Sequence, residues 1–139
     1  MEIIANALQT VQTNQNVYFT DTVVNCGPAV THRAGSGLVT LRGNTNQCRA
    51  RYHVTFGANI AVPTGETVGP VQLSLAIDGE GVPATNMIVT PAAVEEFFNV
   101  FSAIYIDVPR VCCVTISVTN SGDIPVNVEN ANLMVDRVA

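Results

Sequence analysis

The chain has 139 residues, which is the size of one domain, so we expect a single domain over residues 1–139. Charged residues make up 12% of it and hydrophobic residues 47%, whereas ordinary soluble domains carry about 25% charged residues, so much of the surface is expected to be buried in an assembly. The net charge of −5 excludes nucleic acid as an expected partner, and no apolar run approaches the about 18 residues of a membrane-inserted helix.

Hydrophobic residues in the first half recur mainly with a period of two, which is typical of β-strands. Residues 3–11 fit a weak helix or a strand, and we favour a strand because no other part of the chain has a helical pattern. Four further strands are expected over residues 17–24, 29–32, 38–42 and 48–62. In the last of these, the side chains expected to face the core are Cys48, Ala50, Tyr52, Val54, Phe56 and Ala58.

The second half continues the pattern, with strands expected over residues 70–78, 84–90, 95–109, 111–119 and 124–138. The tetrapeptide Asn120-Ser121-Gly122-Asp123 predicts a hairpin between the last two. The alternation of the final strand slips near residues 129–131, which predicts a bulge. About ten short strands with regular turn signals indicate an all-β, two-sheet antiparallel sandwich.

The strand over residues 95–109 is apolar on both faces. The side chains expected to face the core are Phe98, Val100, Ser102, Ile104, Ile106 and Val108. The opposite face carries Phe97, Phe101 and Tyr105, although a face in contact with water should be polar. We therefore expect copies of this chain to cover that face around a symmetry axis.

Three stretches, HRAGSGLVTLRG, RYHVTFGANI and VTISVTNSGDIPVNVENANLMV, resemble the C1q/TNF-like jelly roll, and the likeness covers essentially the whole chain. The bacterial and phage members are most similar, including the globular tips of bacterial collagen-like surface proteins. The resemblance implies a jelly-roll homotrimer with Phe97, Phe101 and Tyr105 at the three-fold axis. We also expect Tyr18 or Tyr52 to flank this axial core. The chain departs from the collagen-like members because it contains no Gly-X-Y stalk. The loops of receptor-engaging members are not recognisable, so their binding residues are not carried over.

The polar residues beside this face favour assembly over catalysis. We expect Arg49, Arg51 and His53 to form polar pairs between subunits, with Asp107 as one partner; an anion site is the alternative. The chain has no nucleophile motif of the G-x-S-x-G kind to accompany either His. Glu95 and Glu96 are adjacent in a strand and face opposite ways, so they cannot flank one substrate. We expect no enzyme and no cofactor.

The four cysteines, Cys26, Cys48, Cys112 and Cys113, do not have the spacing of a zinc site. We favour buried free thiols, and a disulfide between Cys26 and Cys48 is the alternative. Cys112 and Cys113 are adjacent in a strand and point to opposite faces, so one is expected in the core and the other at an interface or in solvent. Asp78 and Glu80 are weak candidate ligands for a cation, although a hairpin turn explains the Asp78-Gly79-Glu80-Gly81 segment better. No metal is expected elsewhere.

The expected function is that of a structural or adhesive trimeric module. A virion decoration, fibre tip or cell-surface protein would use Thr-, Asn- and Gln-rich loops to bind a capsid or surface protein, a host receptor or a glycan. The alternative is a secreted ligand that engages a protein receptor at the grooves between protomers. The N-terminal sequence MEIIANALQT has no signal peptide, which counts against that alternative. A virion or cell-surface location is favoured over the cytoplasm.

Overall fold

A computed structural model describes residues 1–25, 27–111 and 113–139, and the regular structure in these ranges is β apart from a 3-10 turn at Pro83–Thr85. The described strands are β1 (Glu2–Ala5), β2 (Gln9–Val11), β3 (Asp21–Val24), β4 (Val30–His32), β5 (Val39–Arg42), β6 (Arg49–Ala61), β7 (Val71–Ile77), β8 (Glu80–Gly81), β9 (Met87–Val89), β10 (Phe98–Pro109), β11 (Cys113–Asn120) and β12 (Val126–Arg137). Across these same ranges, no helix is long and apolar enough to span a membrane.

The strands form two antiparallel six-stranded sheets, which we call sheet A and sheet B. Sheet A has the order β10-β6-β12-β1-β3, and β2 also pairs with β12. Sheet B has the order β4-β5-β11-β7-β8, and β9 also pairs with β7. The chain passes repeatedly from one sheet to the other, as a jelly roll requires. The predicted all-β, two-sheet antiparallel jelly-roll sandwich is confirmed.

The core lies between the sheets and follows the alternation predicted for the long strand β6. Ala50, Tyr52, Val54, Phe56 and Ala58 are all buried, and the Phe56 ring meets Phe19 edge to face at a centroid distance of 6.3 Å. The prediction for Cys48 is wrong, because this residue precedes β6 and is exposed. The predicted bulge in β12 is confirmed by a register shift between Glu129 and Asn132.

The strands near the N-terminus are shorter in the structure than the sequence predicted. Residues 3–11 divide into β1 and β2. Of residues 17–24, Asp21–Val24 alone form a strand, while Val17 and Phe19 are buried in an extended crossing between the sheets. The Val17 N–H donates to the Val118 carbonyl in sheet B, at 2.8 Å, and the Thr20 N–H donates to the Ile4 carbonyl in sheet A, at 3.0 Å. A period of two describes such a crossing as well as it describes a paired strand.

Of the two predicted hairpin turns, one is confirmed and one is wrong. Asp78 and Gly79 both have positive φ, at 51° and 85°, and connect β7 to β8 as a two-residue hairpin. The turn after Asn120 instead carries the chain from β11 in sheet B to β12 in sheet A, so these strands do not pair with each other. A turn motif specifies that the chain reverses, whereas the sheet that the next strand joins depends on distant pairing partners.

Candidate assembly face

The candidate functional site is the outer face of sheet A along its edge strand, β10. This strand pairs with β6 over its whole length, from Phe98 opposite Ile60 to Pro109 opposite Arg49. Val100, Ile106 and Val108 point into the core as predicted, and Ile104 packs against it. The prediction that Phe98 is buried is wrong, since this first residue of β10 is 40% exposed.

The opposite face of β10 carries Phe101 and Tyr105, and Phe97 directly precedes the strand; we call these three residues the aromatic row. Phe101 is 65% exposed, Tyr105 68% and Phe97 38%, so large aromatic surfaces point away from the core of the subunit. Met134 on β12 is also exposed on sheet A, and it lies opposite Thr55 on β6. Exposed apolar side chains of sheet A thus lie on β10 and β12, on either side of Thr55 and His53 of β6.

The expectation that Tyr52 flanks this surface is wrong. Its side chain is fully buried between the sheets, and its hydroxyl donates to the Arg42 carbonyl at 2.6 Å. Tyr18 is exposed, but it belongs to the crossing between β2 and β3 rather than to β10. The aromatic row is thus supplied by β10 and the residue just before it.

Charged side chains at one end of the face pair within the subunit. The Arg51 guanidinium donates twice to the Asp107 carboxylate, at 2.7 and 3.0 Å, and Arg49 lies 3.5 Å from the same carboxylate. The His53 ring stacks on Tyr105 in a tilted arrangement with a centroid distance of 5.0 Å. Asp107 therefore has two partners within its own subunit. Pairing of these residues between subunits stays a prediction.

Protonation of Asp107 at low pH should break this ion pair and lower the stability of the fold. The hydrogen bond from Arg51 lowers the pKa of Asp107 below its usual value, and the same carboxylate raises the pKa of Arg51. A lowered carboxyl pKa contributes stability that is present at neutral pH and is lost as the pH falls below about 4 through the folded-state value. We expect Asp107→Asn to remove this part of the acid dependence of unfolding, measured by urea titration from pH 2 to 6. An unchanged acid dependence in Asp107→Asn would contradict the assignment.

The other end of the face carries amides that the sequence prediction missed. Asn99 Nδ2 donates to Asn59 Oδ1, and Asn59 Nδ2 donates to Asn130 Oδ1, each at 3.2 Å. The three residues lie on β10, β6 and the β12 bulge, where Asn130 has a φ of 56°. The outward asparagines of these strands could be found in the sequence. Their contact could not, because it depends on the register in which the strands pair.

The remaining candidate residues lie elsewhere. Cys26 and Cys112 fall outside the described residues, so the Cys26–Cys48 disulfide stays a prediction. Cys48 is exposed, which contradicts the buried setting favoured for it. Cys113 is exposed too, as expected for one member of the adjacent pair. Asp78 Oδ1 accepts a hydrogen bond from the Thr115 N–H at 2.9 Å, a structural role that fits a hairpin. Glu80 is exposed. Among the residues that the structure covers, no three His, Cys, Asp or Glu side chains form a group able to hold a metal ion.

Comparison with known proteins identifies the fold. No family model matches the sequence, and no curated protein matches it. Among solved structures, the globular domain of zebrafish complement 1qA protein is similar with a TM-score of 0.66 and 13% identity, covering 99% of this chain and 95% of that one. The fold is therefore that of a C1q/TNF-like jelly roll, as the resemblance implied.

Two further solved structures match with lower TM-scores. The C-terminal domain of the sugar-binding protein EclA has a TM-score of 0.36 at 17% identity, over 82% of this chain and 90% of that one. A family 35 carbohydrate-binding module from Clostridium thermocellum has a TM-score of 0.37 at 12% identity, over 92% of this chain and 98% of that one. Among these three structures, the complement domain thus has the highest TM-score.

Proposed function

We propose that this chain is a non-enzymatic structural and binding module that works as a homotrimer. The outer face of sheet A is the subunit interface, and the aromatic row lies at the three-fold axis. The observation that carries the proposal is the exposure of Phe101 and Tyr105 on a regular edge strand, with Met134 exposed on the same sheet. An isolated subunit would leave this surface in contact with water, at a cost that burial removes.

A second copy of the chain is the occupant that this face fits best. Each aromatic side chain can bury about 150–250 Å² of surface, so three copies of the row supply a substantial apolar contact. The nearby charges of Arg51 and Asp107 already neutralise each other within one subunit. Packing copies together therefore does not bury an unpaired charge from this ion pair, a cost that would otherwise oppose association.

Assembly through sheet A leaves the loops and sheet B for other partners. We place the module at a virion or cell surface, as a decoration, a fibre tip or a surface protein that contacts a host surface or a glycan. The chain's low content of charged residues supports a protein that functions in an assembly. Co-purification with particles or cell envelopes tests this location, and recovery in the soluble fraction alone contradicts it.

The assembly state of the unmodified chain is the direct test. We expect multi-angle light scattering at about 50 μM to give three times the mass of one chain. The apolar interface should keep the trimer intact in 1 M NaCl, because salt screens charge pairs but strengthens rather than weakens apolar burial. A monomer mass in low salt would contradict the proposal.

A further inference from the structure

Five of the six arginines of this chain lie at one end of the sandwich. Three of them are terminal residues of strands, since Arg42 ends β5, Arg49 begins β6 and Arg137 ends β12. Arg110 follows the last residue of β10, and Arg51 is the third residue of β6. We call the surface formed by these five residues the arginine end.

Strand pairing brings these arginines together from both sheets. In sheet A, Arg49 lies opposite Pro109, and Arg137 lies opposite Tyr52. In sheet B, Arg42 lies opposite the first residue of β11. The Tyr52 hydroxyl donates to the Arg42 carbonyl at 2.6 Å, which joins the two sheets at this end. Since packed sheets lie about 10 Å apart, one extended ligand can contact arginines of both sheets.

Arg42 and Arg110 are the members of this group that are most open to a ligand. Both are exposed, and neither side chain forms an ion pair with a residue that the structure describes. The Arg110 N–H donates to the Cys48 carbonyl at 3.0 Å. Gly43 packs so closely on the end of β10 that an added Cβ would lie 2.0 Å from the Pro109 carbonyl oxygen, so only glycine fits there. The two guanidinium groups therefore extend from neighbouring segments of backbone.

The charge of the arginine end is opposite in sign to that of the whole chain. Its five arginines and two aspartates, Asp107 and Asp136, give it three positive side-chain charges, whereas the whole chain has a net charge of −5. The loops at the other end of the long strands carry four carboxylates, those of Glu66, Glu95, Glu96 and Asp123. A ligand with many negative charges is therefore attracted to one end of the subunit and repelled by the other.

The loop between β5 and β6 adds neutral polar groups to the arginine end. Arg137 Nη1 donates to the Asn44 carbonyl at 2.7 Å, which holds the loop against this surface. Thr45 Oγ1 accepts the Gln47 N–H at 3.2 Å, and the side chains of Asn46 and Gln47 are exposed. Amides donate and accept hydrogen bonds, as sugar hydroxyls require, while guanidinium groups bind carboxylates and sulfates through paired N–H donors.

We propose that the arginine end binds an acidic glycan, a chain of sugars that carries carboxylate or sulfate groups. Arg42 and Arg110 bind the anionic groups, and the exposed amides of Asn46 and Gln47 bond to sugar hydroxyls. This inference rests on the proposed binding function and names the class of ligand.

The proposed trimer would strengthen binding to a long glycan. Phe97, Phe101 and Tyr105 follow one another along β10, so a three-fold axis beside them runs along the strand. All three subunits then turn their arginine ends to the same side. Contact with a second and third end becomes intramolecular once the first has bound, which raises the overall affinity.

The test is a titration of the intact chain by isothermal titration calorimetry at pH 7 in about 50 mM NaCl. The probes are a heparin octasaccharide, which carries sulfates, an oligogalacturonate, which carries carboxylates, and a neutral dextran oligosaccharide. We expect at least one acidic probe to bind with a Kd in the micromolar range and dextran not to bind. In 200 mM NaCl the Kd should be about tenfold weaker, because arginine contacts to a polyanion release counterions.

Variants separate this surface from general attraction to a polyanion. Arg42→Gln and Arg110→Gln each remove one charge from an exposed side chain, so we expect the Kd of each to be about fivefold weaker. Arg33→Gln makes the same change of net charge in the exposed turn after β4, away from the arginine end. This matched control should leave the Kd unchanged.

Three results overturn the inference: neither acidic probe binds, dextran binds as tightly as the acidic probes, or both arginine variants bind as tightly as the unmodified chain. Tighter binding to a DNA duplex or to vesicles containing phosphatidylglycerol also overturns it, because the partner would then be a nucleic acid or a membrane. Light scattering on the same samples reports the assembly state independently. A trimer that binds no acidic glycan contradicts this inference alone, and a monomer that binds one contradicts the assembly alone.

Discussion

Tyr105→Asp and Phe101→Asp are each expected to convert the proposed trimer into monomers at concentrations near 50 μM. Full burial of one such aromatic side chain contributes about 1.5–3 kcal/mol, and the axis would bring three copies together. Each substitution removes that contribution and places three carboxylates close to one another in a desolvated contact, where they repel. Since about 1.4 kcal/mol corresponds to a tenfold change in Kd, we expect the dissociation constant to rise at least a thousandfold. Light scattering measures the mass directly.

A matched substitution separates loss of assembly from a general effect of a surface carboxylate. Ile88 lies on β9 in sheet B and is 58% exposed, so Ile88→Asp adds the same charge away from the proposed axis. We expect this variant to keep the trimer mass. All three variants should retain the β-rich circular dichroism of the unmodified chain, because none of the replaced side chains is buried in one subunit. If Tyr105→Asp and Phe101→Asp both keep the trimer mass, the aromatic row is not at the interface.

The interior of the sandwich could be predicted from the sequence because it depends on a local rule. Alternation along β6 assigned Tyr52, Val54 and Phe56 to the core, and the structure buries all three. The same rule predicted that β10 carries apolar side chains on both of its faces. It therefore placed Phe101 and Tyr105 on the outer face, where the structure exposes them. These features follow from the period of a strand, which requires no knowledge of its neighbours.

Features that depend on strand pairing could not be predicted in the same way. The contact of Arg51 with Asp107 joins residues far apart in sequence, and it exists because β10 and β6 pair with these two residues opposite each other. Which sheet β12 joins likewise depends on its pairing partners in sheet A. The turn after Asn120, considered alone, predicted a hairpin with β11 instead.

The side chain of Asn120 connects segments that are far apart in the sequence. Its side chain is fully buried, and Nδ2 donates to the Val11 carbonyl and to the Ile124 carbonyl, each at 2.9 Å. Its Oδ1 accepts the Gly122 N–H at 3.0 Å, which fixes the turn. One amide therefore joins the end of β11 in sheet B to β2 in sheet A and to the chain leading into β12.

We expect Asn120→Asp to lower the free energy of unfolding by about 3–5 kcal/mol at pH 7. The replacement keeps the shape of the side chain, but it removes both donors and places a buried carboxylate against two carbonyl oxygens. Domains of this kind are stable by about 5–15 kcal/mol, so the loss should be visible as a large shift of the urea midpoint. Asn46→Asp makes the same chemical change in the exposed turn before β6 and should leave the midpoint nearly unchanged.

The pH dependence of the stability of Asn120→Asp provides a second test of whether the buried carboxylate causes the destabilisation. Burial beside carbonyl oxygens disfavours the charged form, so the pKa of the introduced carboxyl should be higher in the folded chain than in the unfolded chain. The destabilisation is then complete above the folded-state pKa and shrinks as the pH falls towards the unfolded-state value of about 3.9. A neutral carboxyl can also donate one hydrogen bond, which restores part of the contact. If Asn120→Asp costs less than 1 kcal/mol at pH 7, or costs the same at pH 4 as at pH 7, the amide does not hold the two sheets together in the way its contacts indicate.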